Sequence, residues 1–217
     1  MALARLLILG IFISALGLFA HANTVETLKW DDLAPAWDDS KNPMHRLTQE
    51  QQDSVYGVLW GPNYGAPMSK RNGEEMAAYD RLKESGVDPD NLFREIEDLR
   101  EKLQQNEKTL VFDLDKKTIK LPGYVLPLDF DGKLVKSFLL VPSVGACIHV
   151  PPPPPNQMIH VIPAKPFESE ELYAPVWVTG EITVGMGRRS LELVDGSSEV
   201  DFGYSMQATK IEPYTQQ

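Results

Sequence analysis

Val176-Trp177-Val178-Thr179-Gly180-Glu181-Ile182-Thr183-Val184 sets valine, glycine and isoleucine at the even positions against tryptophan, threonine and glutamate at the odd ones. A period of two is the mark of a strand with one buried face. Phe202, Tyr204, Met206 and Ala208 repeat the alternation nearer the C-terminus. Upstream, Leu110–Leu114, Thr118–Phe130, Leu134–Val141, Ala146–Val150 and Met158–Ile162 read as further strands. Pro122-Gly123 predicts a bend within the longest of these, and Asp131-Gly132 a tight hairpin turn. About five long, bent strands with internal glycines suit a small five-stranded OB-like antiparallel β-barrel over residues 108–217, with a sandwich as the alternative.

Working back from that region, the period changes. Residues 44–107 carry helical signals. Thr48 and Gln51 stand at capping-box spacing, in which each side chain satisfies the other's free backbone N–H. Trp60-Gly61-Pro62-Asn63-Tyr64-Gly65 breaks that helix. A second helix is expected from about Gly73 to Ser85, ending at Gly86. A third starts around Asp88-Pro89, with Leu92, Ile96, Leu99 and Leu103 on one face and charged residues on the other. Its four leucine and isoleucine positions are too few for a coiled-coil seam, so that face is expected to pack on its own domain. The class is therefore α+β. Residues 23–43 mix Trp30, Leu33 and Trp37 with aspartates and prolines, and read as an extended arm whose aromatics dock on the body.

The first 22 residues differ from all of this. Arg5 precedes an apolar run from Leu6 to Phe19, and Ala20-His21-Ala22 offers small residues at the two positions a signal peptidase reads. The run is shorter than the roughly 20 residues a spanning helix needs. The pattern predicts a cleavable signal peptide over 1–22, cut near Ala22-Asn23, and hence a periplasmic protein. No later segment is expected to cross a membrane.

The chain of 217 residues carries 31 acidic and 21 basic side chains, a formal net charge of −10. Such a surface repels phosphate backbones, so a nucleic-acid partner is excluded. Cys147 is the one cysteine, which rules out an internal disulfide and leaves a buried thiol, an intermolecular partner or a metal ligand. The Gly-x-Ser-x-Gly elbow, the P-loop, the His-Glu-x-x-His helix and the dinucleotide fingerprint are all missing from the sequence. The runs of carboxylates read as solvated faces. A binding or accessory module fits better than an ordinary enzyme.

The unusual chemistry lies in Gly145-Ala146-Cys147-Ile148-His149-Val150, followed by five prolines and Asn156-Gln157. On a strand, Cys147 and His149 share a face. A thiolate and an imidazole are zinc ligands, and His160 on the next strand could complete three protein donors. The prolines should form stiff polyproline II, holding the two strand ends apart. Pro151, Pro152, Pro153, Asn156 and Gln157 are the candidate binding positions. The competing reading makes Cys147 a small buried hydrophobe and His149 a hydrogen-bonded structural residue. A cysteine nucleophile is disfavoured: side chains two apart on a strand stand roughly 6 to 7 Å apart, long for direct proton transfer.

Leu121-Pro122-Gly123-Tyr124-Val125, Ser137-Phe138-Leu139-Leu140-Val141-Pro142, the Gly145–Pro154 stretch with Asn156-Gln157, Trp30-Asp31-Asp32-Leu33 and Pro175-Val176-Trp177-Val178-Thr179-Gly180 together resemble the bacterial exported family known as domain of unknown function 3299. The resemblance covers most of the chain beyond residue 22. It implies a periplasmic protein of uncharacterised biochemistry, from a family encoded in some bacteria beside an ABC transporter with a permease of the lipoprotein-release or macrolide-export type, in some of those clusters tied to zinc supply. It carries no catalytic residue over. Two functions follow as expectations. One is a periplasmic accessory protein for an ABC transporter or another periplasmic protein, handling zinc at Cys147, His149 and His160. The other is an interaction module of the cell envelope, without metal, that presents the proline loop with Trp30, Trp37 and Trp177 among its contacts.

Overall fold

The computed structural model describes residues 24–63, 65–67, 70–143, 152–168, 173–193 and 196–214. The expected signal peptide lies outside them. The fold is mixed: three helices and one seven-stranded sheet.

The arm begins with a two-residue strand, β1 (Glu26–Thr27), and continues through three 3-10 turns, Trp30–Leu33, Asp39–Lys41 and Pro43–Arg46. Short polar side chains start the last two. Asp38 accepts from the Ser40 N–H at 3.2 Å and Asn42 from the Met44 N–H at 3.0 Å, the usual way Asp and Asn compete for nearby backbone donors. Helix α1 (Gln49–Leu59) opens with the expected capping box, Thr48 and Gln51 bonding reciprocally at 3.3 and 2.9 Å. Helix α2 (Gly73–Glu84) follows, then α3 (Pro89–Asn106), capped by Asp88 with Pro89 in its first turn. Val55, Leu82 and Leu92 form the buried centre of this layer, with Leu47, Phe93 and Ile96 packed around them. The apolar face of α3 thus packs on its own chain near its start, while Leu103 near its end is 38% exposed.

The sheet contains β2 (Thr118–Asp131), β3 (Leu134–Val141), β4 (Ile159–Pro163), β5 (Phe167–Glu168), β6 (Pro175–Leu193) and β7 (Gly196–Pro213) besides β1. Its order is β1-β2-β6-β7-β4-β3-β5, and β2 also pairs with β3. Two expectations need correction. The sheet has seven strands rather than five, because the arm and the segment after β4 each add a two-residue edge strand. It is mixed rather than antiparallel: β1 pairs with β2, and β4 with β7, in parallel. The segment Leu110–Leu114 is also no strand. It contains a 3-10 turn at Phe112–Leu114, which buries Leu110 and Leu114 but leaves Phe112 71% exposed; in a strand all three would share one face. The expected strand Ala146–Val150 lies outside the described residues.

The Asp131-Gly132 hairpin is present, with Gly132 at φ +63°, a conformation only glycine adopts without strain. Two apolar clusters lie on opposite sides of the β3–β4 pair. Leu140 and Ile159 are register partners and feed the main cluster, with Phe138, Val178 and Tyr204. Leu139 and His160 are the next partners, and Leu139 feeds the second cluster, with Leu126, Val141, Met158, Leu191, Val200 and Phe202.

Candidate functional site around His160

The proline segment rejoins the described chain at Pro152. Pro154 is extended, at φ −61° and ψ 155°, and Pro155–Gln157 form a 3-10 turn leading into β4. Pro152 is exposed and Pro153 half-buried. The amides that follow bond to the chain's own backbone. Asn156 is 2% exposed; its Nδ2 donates to the Asn106 carbonyl at 2.7 Å and the Thr109 carbonyl at 3.2 Å. Its N–H donates to the Glu107 carbonyl. Asn156 therefore satisfies carbonyls at the C-terminus of α3, which a helix end leaves without partners. Gln157 Nε2 donates to the Trp30 carbonyl at 3.1 Å.

That last bond is one of several holding the arm. Trp30 Nε1 donates to the Pro122 carbonyl at 2.8 Å. The buried Tyr204 hydroxyl donates to the Leu33 carbonyl at 2.6 Å and accepts from the Val111 N–H at 2.8 Å. Burial raises the Tyr204 pKa, against a smaller opposing effect of the Val111 N–H, so the phenol stays protonated and can donate. Nothing in the sequence marked Tyr204 as more than one core residue of an alternating strand.

His160 sits at the second position of β4 and is 4% exposed. Its imidazole lies 5.2 Å from the Phe202 ring, centroid to centroid, with the planes tilted by 39°. Burial is the main cause of a pKa below the ordinary histidine value; the Arg189 charge adds to it and the Asp129 charge opposes it. The ring is thus neutral, the form that binds metals. Its Nε2 is buried and has no hydrogen-bond partner among the described residues. Asp129 itself accepts from the buried Ser137 hydroxyl at 2.5 Å.

Cys147, His149 and Pro151 lie outside the described residues, so their place relative to His160 is not part of this geometry. Among the described residues, no three of His, Cys, Asp and Glu stand together as a metal-holding group. Of the tryptophans expected to contact partners, Trp30 is used internally. Trp177 lies under the Lys120 ammonium at 4.9 Å and meets Tyr214 edge-on. Trp37 is 38% exposed and lines an open groove of about 470 Å³ between arm and α3, with Pro43, Leu99 and Lys102.

A family model for a protein of unknown function, DUF3299, matches residues 30–213. The chain belongs to the DUF3299 family. The match begins at Trp30 and ends at the last residue of β7, so the helices and strands β2 to β7 fall inside the family unit, with β1 just before it. A solved structure of a DUF3299 family protein from Pseudomonas aeruginosa PAO1 is similar at 28% identity, covering 89% of this chain and 98% of that chain, with a TM-score of 0.45. Among curated proteins there is no match. No helix among the described residues of this DUF3299 protein is long and apolar enough to cross a membrane.

Proposed function

We propose that this DUF3299 protein is a periplasmic accessory protein that binds zinc through His160, Cys147 and His149, in the service of an ABC transporter or another periplasmic protein. The observation that carries the reading is the buried Nε2 of His160, which has no partner among the described residues. A buried polar atom without a partner costs on the order of 1–3 kcal/mol, and the lone pair of a neutral imidazole is what a zinc ion uses. The donor chemistry fits: two imidazoles and one thiolate leave a fourth zinc position for water or a partner's side chain. Chain placement supports it as well. The segment carrying Cys147 and His149 leaves β3 after Val141 and re-enters at β4, and Leu140 pairs with Ile159, so both ends of that segment lie beside His160. The apolar run before Ala22 supports export.

The ring of pairings β2-β6-β7-β4-β3 and back to β2 supports reading the sheet as an OB-like barrel, with β1 and β5 as appendages. In that reading the proline segment is a connection at the rim of the barrel.

The test is zinc titration of the chain from Asn23 onward, purified reduced and without chelator, beside Cys147→Ser, His149→Ala and His160→Ala. One equivalent of zinc in the wild type, lost in all three variants, is the expected result. A wild type that binds no zinc overturns the reading. The alternative, an interaction module without metal, draws its support from the Asn156 and Gln157 amides, which serve the fold, and from the Trp37 groove. It predicts unchanged partner capture by the three variants and loss of capture by Trp37→Ala.

A further inference from the structure

Beyond Val184 the β6–β7 hairpin leaves the rest of the sheet. β2 accompanies β6 only to Glu181, and β4 meets β7 only from Tyr204 onward. Gly187–Leu193 and Gly196–Phe202 therefore pair with each other alone. A two-stranded ribbon is marginally stable in water by itself, so side chains must hold this one down. Leu191, Val200 and Phe202 do so, joining Leu139, Val141 and Met158 in the second apolar cluster. His160, the register partner of Leu139, lies under this cover beside Phe202.

The base of the ribbon is built differently from the rest. The register shifts between Val184 and Gly187, bulging out Gly185 and Met186. A Cβ added at Gly185 would meet nothing within 4 Å, and Met186 is 55% exposed, so the β6 side of the bulge is open, while across it Gly203 packs against Leu110 and Pro155. At Gly187 the Phe202 ring fills the space of a side chain, 2.3 Å from where a Cβ would stand. Arg188 and Asp201, opposite each other across the ribbon, bond twice, at 2.6 and 3.1 Å. The two strands are thereby tied into one unit above a base that is open on its β6 side. Bulges next to functional sites recur because they re-aim a strand without breaking the sheet.

We propose that the Gly187–Leu193 and Gly196–Phe202 ribbon is a gate that pivots at Gly185-Met186 and governs access to the His160 imidazole. The inference rests on the zinc reading only for what passes through the gate; the motion itself needs no metal. The test is therefore metal-free: diethyl pyrocarbonate modification of the full chain at neutral pH, followed residue by residue by peptide mass spectrometry. His45, whose side chain is 55% exposed, is the internal reference. His160 is expected to react at least about tenfold more slowly than His45, because it reacts only from the locally opened state. Leu191→Ala, which thins the ribbon's hold, is expected to raise the His160 rate about tenfold or more and leave His45 unchanged. Val178→Ala weakens the main cluster instead and should leave the His160 rate near wild type. Where Leu191→Ala does not fold, Val200→Ala takes its place. A wild-type His160 as reactive as His45 overturns the gate. So does an unchanged rate in the ribbon variant, or a Val178→Ala effect as large as that of the ribbon variant. Failure of the zinc titration leaves these rates untouched, so the two ideas fall separately.

Discussion

Tyr204 concentrates more of the fold on one atom than any motif suggested. Its hydroxyl serves an acceptor in the arm and a donor after α3 at once. Tyr204→Phe keeps the ring and strands the Val111 N–H, so it is expected to cost about 1–3 kcal/mol in denaturant unfolding; a change below a few tenths would mean that water replaces the hydroxyl. His160 gives a pH effect whose sign is fixed. Its folded pKa lies below that of the unfolded chain, with burial the largest cause. The unfolded state then binds more protons as pH falls through the ordinary histidine range, near 6.5. Stability contributed by neutral His160 is present above that range and drains away as pH falls toward the folded pKa. Metal-free wild type should therefore lose more stability than His160→Gln on going from neutral to mildly acidic pH, and equal losses would contradict it. His160 was a candidate in the sequence by its residue type and its strand. Sequence reasoning could not find that the Nε2 has no partner among the described residues, because that depends on which residues surround the ring, Phe202, forty-two positions further along, among them.

Elements were legible wherever a single local signal acts alone. The capping box at Thr48 and Gln51, the stop at Gly86 and the Asp131-Gly132 turn are all decided within a few residues, and the structure has all three. Leu110–Leu114 shows the opposite case. Its alternation reads as a strand, but the segment is spent in connecting α3 to β2, and no strand among the described residues pairs with it. The parallel β4–β7 pair was equally hidden, since the direction of a pairing depends on topology rather than on period. Close approach at Gly180 is another feature of the assembled sheet. A Cβ there would stand 2.3 Å from the Gln207 carbonyl oxygen, at the irregularity next to Thr179. Backbone cannot yield as a side-chain tip does, so Gly180→Ala is expected to destabilise by about 1–3 kcal/mol, read from the unfolding midpoint. Wild-type stability for that variant would mean that β6 and β7 slide apart freely.

At the scale of the whole molecule, the helices and the sheet have separate apolar centres: the helical cluster of Val55, Leu82 and Leu92 shares no residue with the two clusters of the sheet. Among the described residues, Asn156 reaching back to the end of α3 is one polar link between them. Leu82→Ala is expected to cost the helical layer about 2–5 kcal/mol. Slow amide exchange in β2 and β6 should persist in that variant while protection in α1 and α2 falls. Equal loss in both layers would show that they unfold as one unit. This division could be anticipated in outline from the change of period near residue 108, whereas the linking role of Asn156 needed the fold.

The docked arm also dictates an order of events. Trp30 and Leu33 are among the earliest of the described residues to be made, yet their anchoring partners lie 92, 127 and 171 positions later in the chain. Until β7 is in place, Leu33 lacks the hydroxyl that its carbonyl will accept from. A chain growing or emerging from its N-terminus thus carries its arm loose through almost the whole process, and closing it is a final act, available only to a molecule that has finished everything else. The arm works as a seal of completion: a chain cut short before Tyr204 would keep its helices and lose the bond that fastens Leu33.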